Sequence, residues 1–131
     1  MRLSPLHPKV MATALIALAK VTLAADATFQ ATVQPVFDAN CVACHQTGAA
    51  TQGLNLESGS SYTSIVNRRS TEAELMLVTP KSPASSYLLL KVLGTHGEAG
   101  GKGARMPVGG ALTPRDIQAI RDWIAAGAKD D

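Results

Sequence analysis

Two cysteines three residues apart, with a histidine directly after the second, occur at Cys41-Val42-Ala43-Cys44-His45. They are the only two cysteines in the 131-residue chain. On one helical turn, side chains at i, i+3 and i+4 share a face. The motif therefore asks for a local turn that aims two thiols and an imidazole the same way. A disulfide-rich scaffold is excluded with so few cysteines, and a bridge across three residues would staple almost nothing.

Three chemistries use such a pattern. A thioredoxin-like redox pair would come with a βαβ pattern, and none is visible. A zinc site would find three ligands here, and His96 alone would have to complete it. The third is covalent attachment of haem c, for which C-x-x-C-H is the attachment sequence. The two thiols add to the two vinyl groups on one edge of the porphyrin, and the histidine is aimed at the iron from the same side. Haem iron held by histidine needs a sixth ligand or keeps an open position. Past the N-terminal segment, the methionines are Met76 and Met106. Met76 lies in the apolar run Glu74-Leu-Met-Leu-Val78 and reads as core. Met106 sits before Pro107 in a glycine-rich loop, where Pro107 favours extended backbone at the preceding residue. Met106 is the favoured distal ligand, and His96, in the same loop, is its rival.

The N-terminus has its own logic. Arg2 and Lys9 precede an apolar run from Val10 to Ala25, interrupted by Lys20. Positive residues, an apolar stretch and then small residues make a secretory signal pattern, with Ala25-Asp26-Ala27 as an A-x-A cleavage site. An uncleaved anchor is the alternative, although the run falls short of the about 20 apolar residues that span a bilayer. The expected division is residues 1–25 as signal peptide and 26–131 as one domain. Removing the leader turns 12 basic residues into 9 against 10 acidic ones, so the net charge of +2 belongs to the leader. Such a chain lacks the cationic excess of a nucleic-acid binder. Residues 68–105 hold Arg68, Arg69, Lys81, Lys91, Lys102 and Arg105 against three glutamates. A charge dipole with its positive end on the Met106 side is expected, with Arg68, Arg69 and Arg105 as candidates to pair with haem propionates.

Periodicity reads as all-α, a few short helices with long loops. Thr28–Asp38 is amphipathic, and Pro35 predicts a short or kinked helix there. Tyr62, Ile65 and Val66 suggest one or two turns. Ser82-Pro83 opens a helix that Gly94 ends. Residues 94–110 form a loop rich in glycine. Thr113-Pro114 caps a last helix in which Ile117, Ile120 and Ile124 share a face with Trp123 beside them, and Gly127 follows it.

These pieces resemble a single-haem class I cytochrome c, closest to the small bacterial cytochrome c domains that include the planctomycete type. The matching residues are Val33-Gln34-Pro35-Val36-Phe37, the CVACH motif, Gly53-Leu54-Asn55-Leu56, Ser86-Tyr87-Leu88, Met106-Pro107, Leu112-Thr113 and Trp123-Ile124-Ala125-Ala126-Gly127-Ala128. The resemblance implies a cytochrome c-like fold wrapped around one covalent haem c. It implies thioether links at Cys41 and Cys44, His45 as the proximal iron ligand and Met106 as the distal one. The first and last helices would cross near Phe37 and Trp123. In the first helix the usual G-x-x-x-[FY] pattern departs, with Ala31 or Val33 in the glycine place.

The implied function is a periplasmic one-electron carrier, not an enzyme, with redox proteins as partners and the membrane involved only if the leader stays. The alternative is a haem-based small-ligand binder or sensor, or the haem subunit of a larger redox enzyme. Aromatic residues are only 4% of the chain. A haem would fill the gap, packed by Leu54, Leu56, Ile65, Leu88, Leu89, Val92 and Ile120, and the haem-free chain is expected to be largely unfolded.

Overall fold

Pro35 decides how the first helix begins. The computed structural model describes residues 28–131. The leader run and its cleavage site therefore lie outside the described residues. Phe29–Val33 winds as one π-turn, and α1 follows over Gln34–Asn40 with Pro35 in its first turn. Proline has no N–H to give to the preceding turn, so the hydrogen-bond register changes there. Thr28 caps the start, its Oγ1 accepting from the Ala31 amide at 3.3 Å.

The second helix, α2, spans Ser61–Ile65. The helix expected from Pro83 to Leu93 is divided. Pro83–Ser85 forms a 3-10 turn, Ser86 is extended, and α3 runs over Tyr87–Leu93. The cause lies in the amides after the break. Tyr87 N–H donates to Met76 O and Leu88 N–H to Leu77 O, both at 2.9 Å. These groups are drawn to the neighbouring segment instead of to their own helix. Buried Ser86 secures the break, its Oγ accepting from the Thr79 amide and donating to Ser82 O, each at 2.9 Å. Gly94, at φ 80°, ends α3 in the left-handed conformation that glycine adopts without strain.

The last helix, α4, covers Pro114–Ala126. Thr113 caps it by accepting from the Asp116 amide at 3.2 Å, and Gly127 stops it as expected. Among the described residues no β-strand forms. Isolated bridges join Val66 to Val78, Arg69 to Met76 and Met76 to Ser86. No helix of the described residues is long and apolar enough to cross a membrane.

The core centres on four of the five aromatic residues. Phe29 stands 5.0 Å from Trp123, 5.5 Å from Tyr62 and 6.1 Å from Phe37 between ring centroids. The π-turn thus crosses α4, with Phe29 as the direct contact to Trp123 and Phe37 one ring further away. Val33 is buried at this crossing and Ala31 is exposed. Of the two candidates for the glycine place, Val33 is the inward one. The C-terminal tail closes over the nucleus: Trp123 Nε1 donates to Lys129 O at 2.8 Å and the Tyr62 hydroxyl to Ala128 O at 3.0 Å.

The seven aliphatic residues expected around a haem divide. Leu56, Ile65, Leu88, Leu89, Val92 and Ile120 are buried among protein neighbours in this core. Only Leu54 remains half-buried. The nucleus of rings gives the aliphatic side chains a protein surface to pack on, which the low aromatic percentage concealed.

Candidate functional site

The CVACH segment continues from the end of α1. Cys41 N–H donates to Phe37 O at 2.8 Å, and Cys41 O then accepts from Cys44 N–H at 3.1 Å and His45 N–H at 3.0 Å. These last two bonds close one helical turn, the local geometry that the C-x-x-C-H spacing calls for. The turn is also held from behind. Leu56 N–H donates to His45 O at 2.8 Å and Thr51 Oγ1 to Cys44 O at 3.0 Å. Buried Gln34 links α1 to this return loop by donating to Leu56 O at 3.0 Å and accepting from the Ser61 hydroxyl.

The return loop is latched by Glu57, which accepts from the Thr47 hydroxyl at 2.6 Å and the Thr47 amide at 2.8 Å. Those two bonds hold its carboxyl below the ordinary range.

The donor set suits a covalently held porphyrin. Both cysteines are free thiols. Cys41 leans on the core, and burial pushes its thiol up to about 11. Cys44 is exposed. His45 Nδ1 is buried with no hydrogen-bond partner, so this imidazole is not consumed by the protein's own hydrogen bonding through that atom. Val42, Leu54, Leu77, Leu93 and Ile117 pack against the core and are only half-buried, so each keeps some apolar surface outside it. Among the described residues, no cluster of three or more His, Cys, Asp or Glu is arranged for a metal ion. The zinc alternative, with His96 as fourth ligand, therefore has no support.

Met106 stands on a separate element, the loop after the 3-10 turn His96–Ala99. It is half-buried, and its amide donates to Lys91 O of α3 at 3.2 Å. His96, the rival ligand, is buried, with Nε2 3.0 Å from Gly103 O and its ring edge-on to Tyr87. Its Nδ1, like that of His45, is buried without a partner. Gly101 lets the loop press on Tyr87: a Cβ there would fall 2.7 Å from Tyr87 Cε2 and 2.8 Å from His96 O.

Sequence reasoning missed the group beneath this loop. Lys91 Nζ donates to Glu72 Oε2 at 2.6 Å and to Lys102 O. The Tyr87 hydroxyl donates to the same Glu72 oxygen at 2.7 Å. A lone lysine inside the apolar stretch Tyr87–Leu93 was the available signal. Lys91 is thus an internal charge, not part of the positive surface expected for residues 68–105. The three arginines considered for propionates all have protein partners. Arg68 Nε donates to Thr63 O at 2.9 Å, Arg69 pairs with Glu74 at 3.2 Å, and Arg105 Nη2 donates to Gly110 O at 3.1 Å.

Burial raises the Glu72 carboxyl, but the hydrogen bonds from Lys91 and Tyr87 outweigh it and leave the group below its ordinary value. Burial, reinforced by Glu72, pushes Tyr87 from 10.0 up to about 12. A raised folded-state value gives stability that is complete below pH 10.0 and is lost as pH rises through about 12. The Glu72 contribution has the opposite sense, complete above the ordinary carboxylate range and lost as pH falls through the depressed value. Urea midpoints measured against pH should therefore fall less steeply for Tyr87→Phe than for the unmodified protein between pH 10.0 and about 12.

Compared with known proteins, the chain matches a family model described as Cytochrome c over residues 30–127. No curated protein and no solved structure matches it.

Proposed function

The chain belongs to the cytochrome c family, and from that premise we propose a periplasmic one-electron carrier with His45 and Met106 as axial ligands. Members of the family carry covalently attached haem c and exchange electrons with redox proteins. Here the proposed attachment points are Cys41 and Cys44. The haem supplies a one-electron couple at its iron. The protein's own residues decide how that couple is held and what can reach it.

The observation that carries this reading is the CVACH turn. Both thiols are free, backbone bonds from Cys44 and His45 to Cys41 O close the turn that joins them to His45, and the imidazole has an unpartnered buried nitrogen. Met106 supports the rest. Its main chain is fastened to α3 through Lys91 O, which suits a loop that presents one side chain steadily. A thioether sulfur is a soft donor and favours the reduced metal. Were His45 and Met106 both to hold the iron, no position would remain for a substrate, so an electron carrier fits better than an enzyme. The signal pattern in residues 1–25 supports the periplasmic assignment, because haem attachment in bacteria takes place outside the cytoplasm. The weak net charge supports protein partners over nucleic acid.

The test is the optical spectrum of the ferrous protein at neutral pH with and without carbon monoxide. The carrier reading expects little change over minutes. Rapid, complete conversion to a carbon monoxide form would replace it with the ligand-binding or sensor reading.

A further inference from the structure

We propose that Glu72 and Lys91 clamp the Met106 loop, and are positioning residues for the distal ligand. The proposal rests on the His45/Met106 reading.

Lys91 is the anomaly that prompts it. It lies in an apolar helix with its side chain only 10% exposed. A buried ammonium is costly unless it is paired and hydrogen-bonded, and an apolar residue would serve α3 at lower cost. The partners of Lys91 show what the charge accomplishes. Its Nζ reaches Glu72 Oε2 at 2.6 Å and Lys102 O, while its own carbonyl accepts the Met106 amide at 3.2 Å. One residue therefore holds the loop at both ends of the stretch 102–106. His96 Nε2 adds a third tie at Gly103 O, 3.0 Å away.

Apart from the Arg105 Nη2 bond to Gly110 O, that stretch has little else to fix it. Lys102, Gly103, Ala104 and Arg105 are all exposed, so apolar burial does not hold them. Gly100, Gly101 and Gly103 give the backbone no stiffness of their own. The place of Met106 is then set by hydrogen bonds to α3, and the ammonium that makes one of them is itself oriented by Glu72. The carboxylate in turn is held by the Tyr87 hydroxyl at 2.7 Å. The chain of support runs from Tyr87 and Glu72, through Lys91, to the loop. Without it the loop samples positions in which the sulfur no longer faces the metal, and an outside ligand competes more easily.

The test uses the haem-loaded protein and four variants. Lys91→Met keeps the stem and removes the ammonium. Glu72→Gln keeps an acceptor for Tyr87 and removes the charge. Lys91→Arg retains a paired cation. Val33→Ala destabilises the core at the distant Phe29 crossing. Two quantities are read: carbon monoxide affinity of the ferrous form, and amide hydrogen exchange at residues 102–106. Apparent affinity rises in proportion to the fraction of molecules with the site open, so an increase of about tenfold is expected for Lys91→Met and Glu72→Gln. Exchange at the Met106 amide should rise with it. Lys91→Arg should stay near the unmodified protein, and Val33→Ala should lower stability without the rise in affinity. If Lys91→Met fails to fold, Glu72→Gln carries the same comparison. Unchanged affinity and exchange in both charge-removing variants, with Met106→Ala opening the site, would overturn the clamp and leave the ligation reading intact. An equal rise in Val33→Ala would also overturn it, reducing the pair to ordinary fold stability. Carbon monoxide binding by the unmodified protein as tight as in Met106→Ala would overturn the ligation reading itself, and the clamp with it.

Discussion

Met106→Ala is expected to lower the reduction potential by on the order of 0.1 V or more, within the roughly 0.8 V span that axial ligands set. The thioether favours the reduced metal, and alanine offers no donor in its place. Under the proposed ligation, loss of the sulfur should also remove the weak Met–Fe(III) charge-transfer absorbance. The fold should tolerate the change. Met106 is only half-buried, and its tie to Lys91 O is a main-chain bond that alanine keeps. Far-UV dichroism should therefore stay close to that of the unmodified protein while potential and absorbance both fall. An unchanged potential with the absorbance retained would remove Met106 from the site and turn attention to His96, whose Nδ1 is buried without a partner.

Trp123→Ala should have the largest effect on stability, a loss of about 3–5 kcal/mol. The indole is 1% exposed, lies 5.0 Å from the Phe29 ring and 6.4 Å from Tyr62, and donates to Lys129 O at 2.8 Å. Deleting it leaves a cavity where the π-turn, α2 and α4 meet. It also releases the tail that closes over them. Domains of this size have about 5–15 kcal/mol in total, and each kcal/mol lost moves Tm by roughly 4–8 °C. A drop in Tm well above 10 °C, on the order of the product of those figures, is expected by thermal denaturation. Trp123→Phe retains most of the ring contact and should lose much less. A loss below about 1 kcal/mol for the alanine variant, the level of a typical point mutation, would mean that the four rings are not the nucleus of the core.

The all-α class and the caps of its last helix were legible in the sequence, because both are local. The spacing of Cys41, Cys44 and His45 called for a local turn, and the bonds from the Cys44 and His45 amides to Cys41 O form one, because such bonds join near neighbours. The caps of α4 were legible for the same reason: Thr113 and Gly127 act within a few residues of themselves. Ser86 was not legible as a break. Its amide neighbours leave the helix for Met76 O and Leu77 O, and no periodicity within residues 83–93 records a competitor further upstream in the chain. The aromatic nucleus was hidden in the same way. Composition counts rings, but Phe29, Phe37, Tyr62 and Trp123 meet only once the π-turn has crossed α4. The Glu72–Lys91 pair joins residues 19 apart, and in the sequence both looked like ordinary surface charges.

The most direct measurement is peptide mapping of the haem-loaded protein by mass spectrometry after denaturation, compared with a Cys41→Ala/Cys44→Ala variant. One haem should be covalently retained on the peptide that contains CVACH, joined through both cysteines, and none on the variant. Haem that washes away on denaturation, leaving Cys41 and Cys44 as free thiols or as a disulfide, would contradict it.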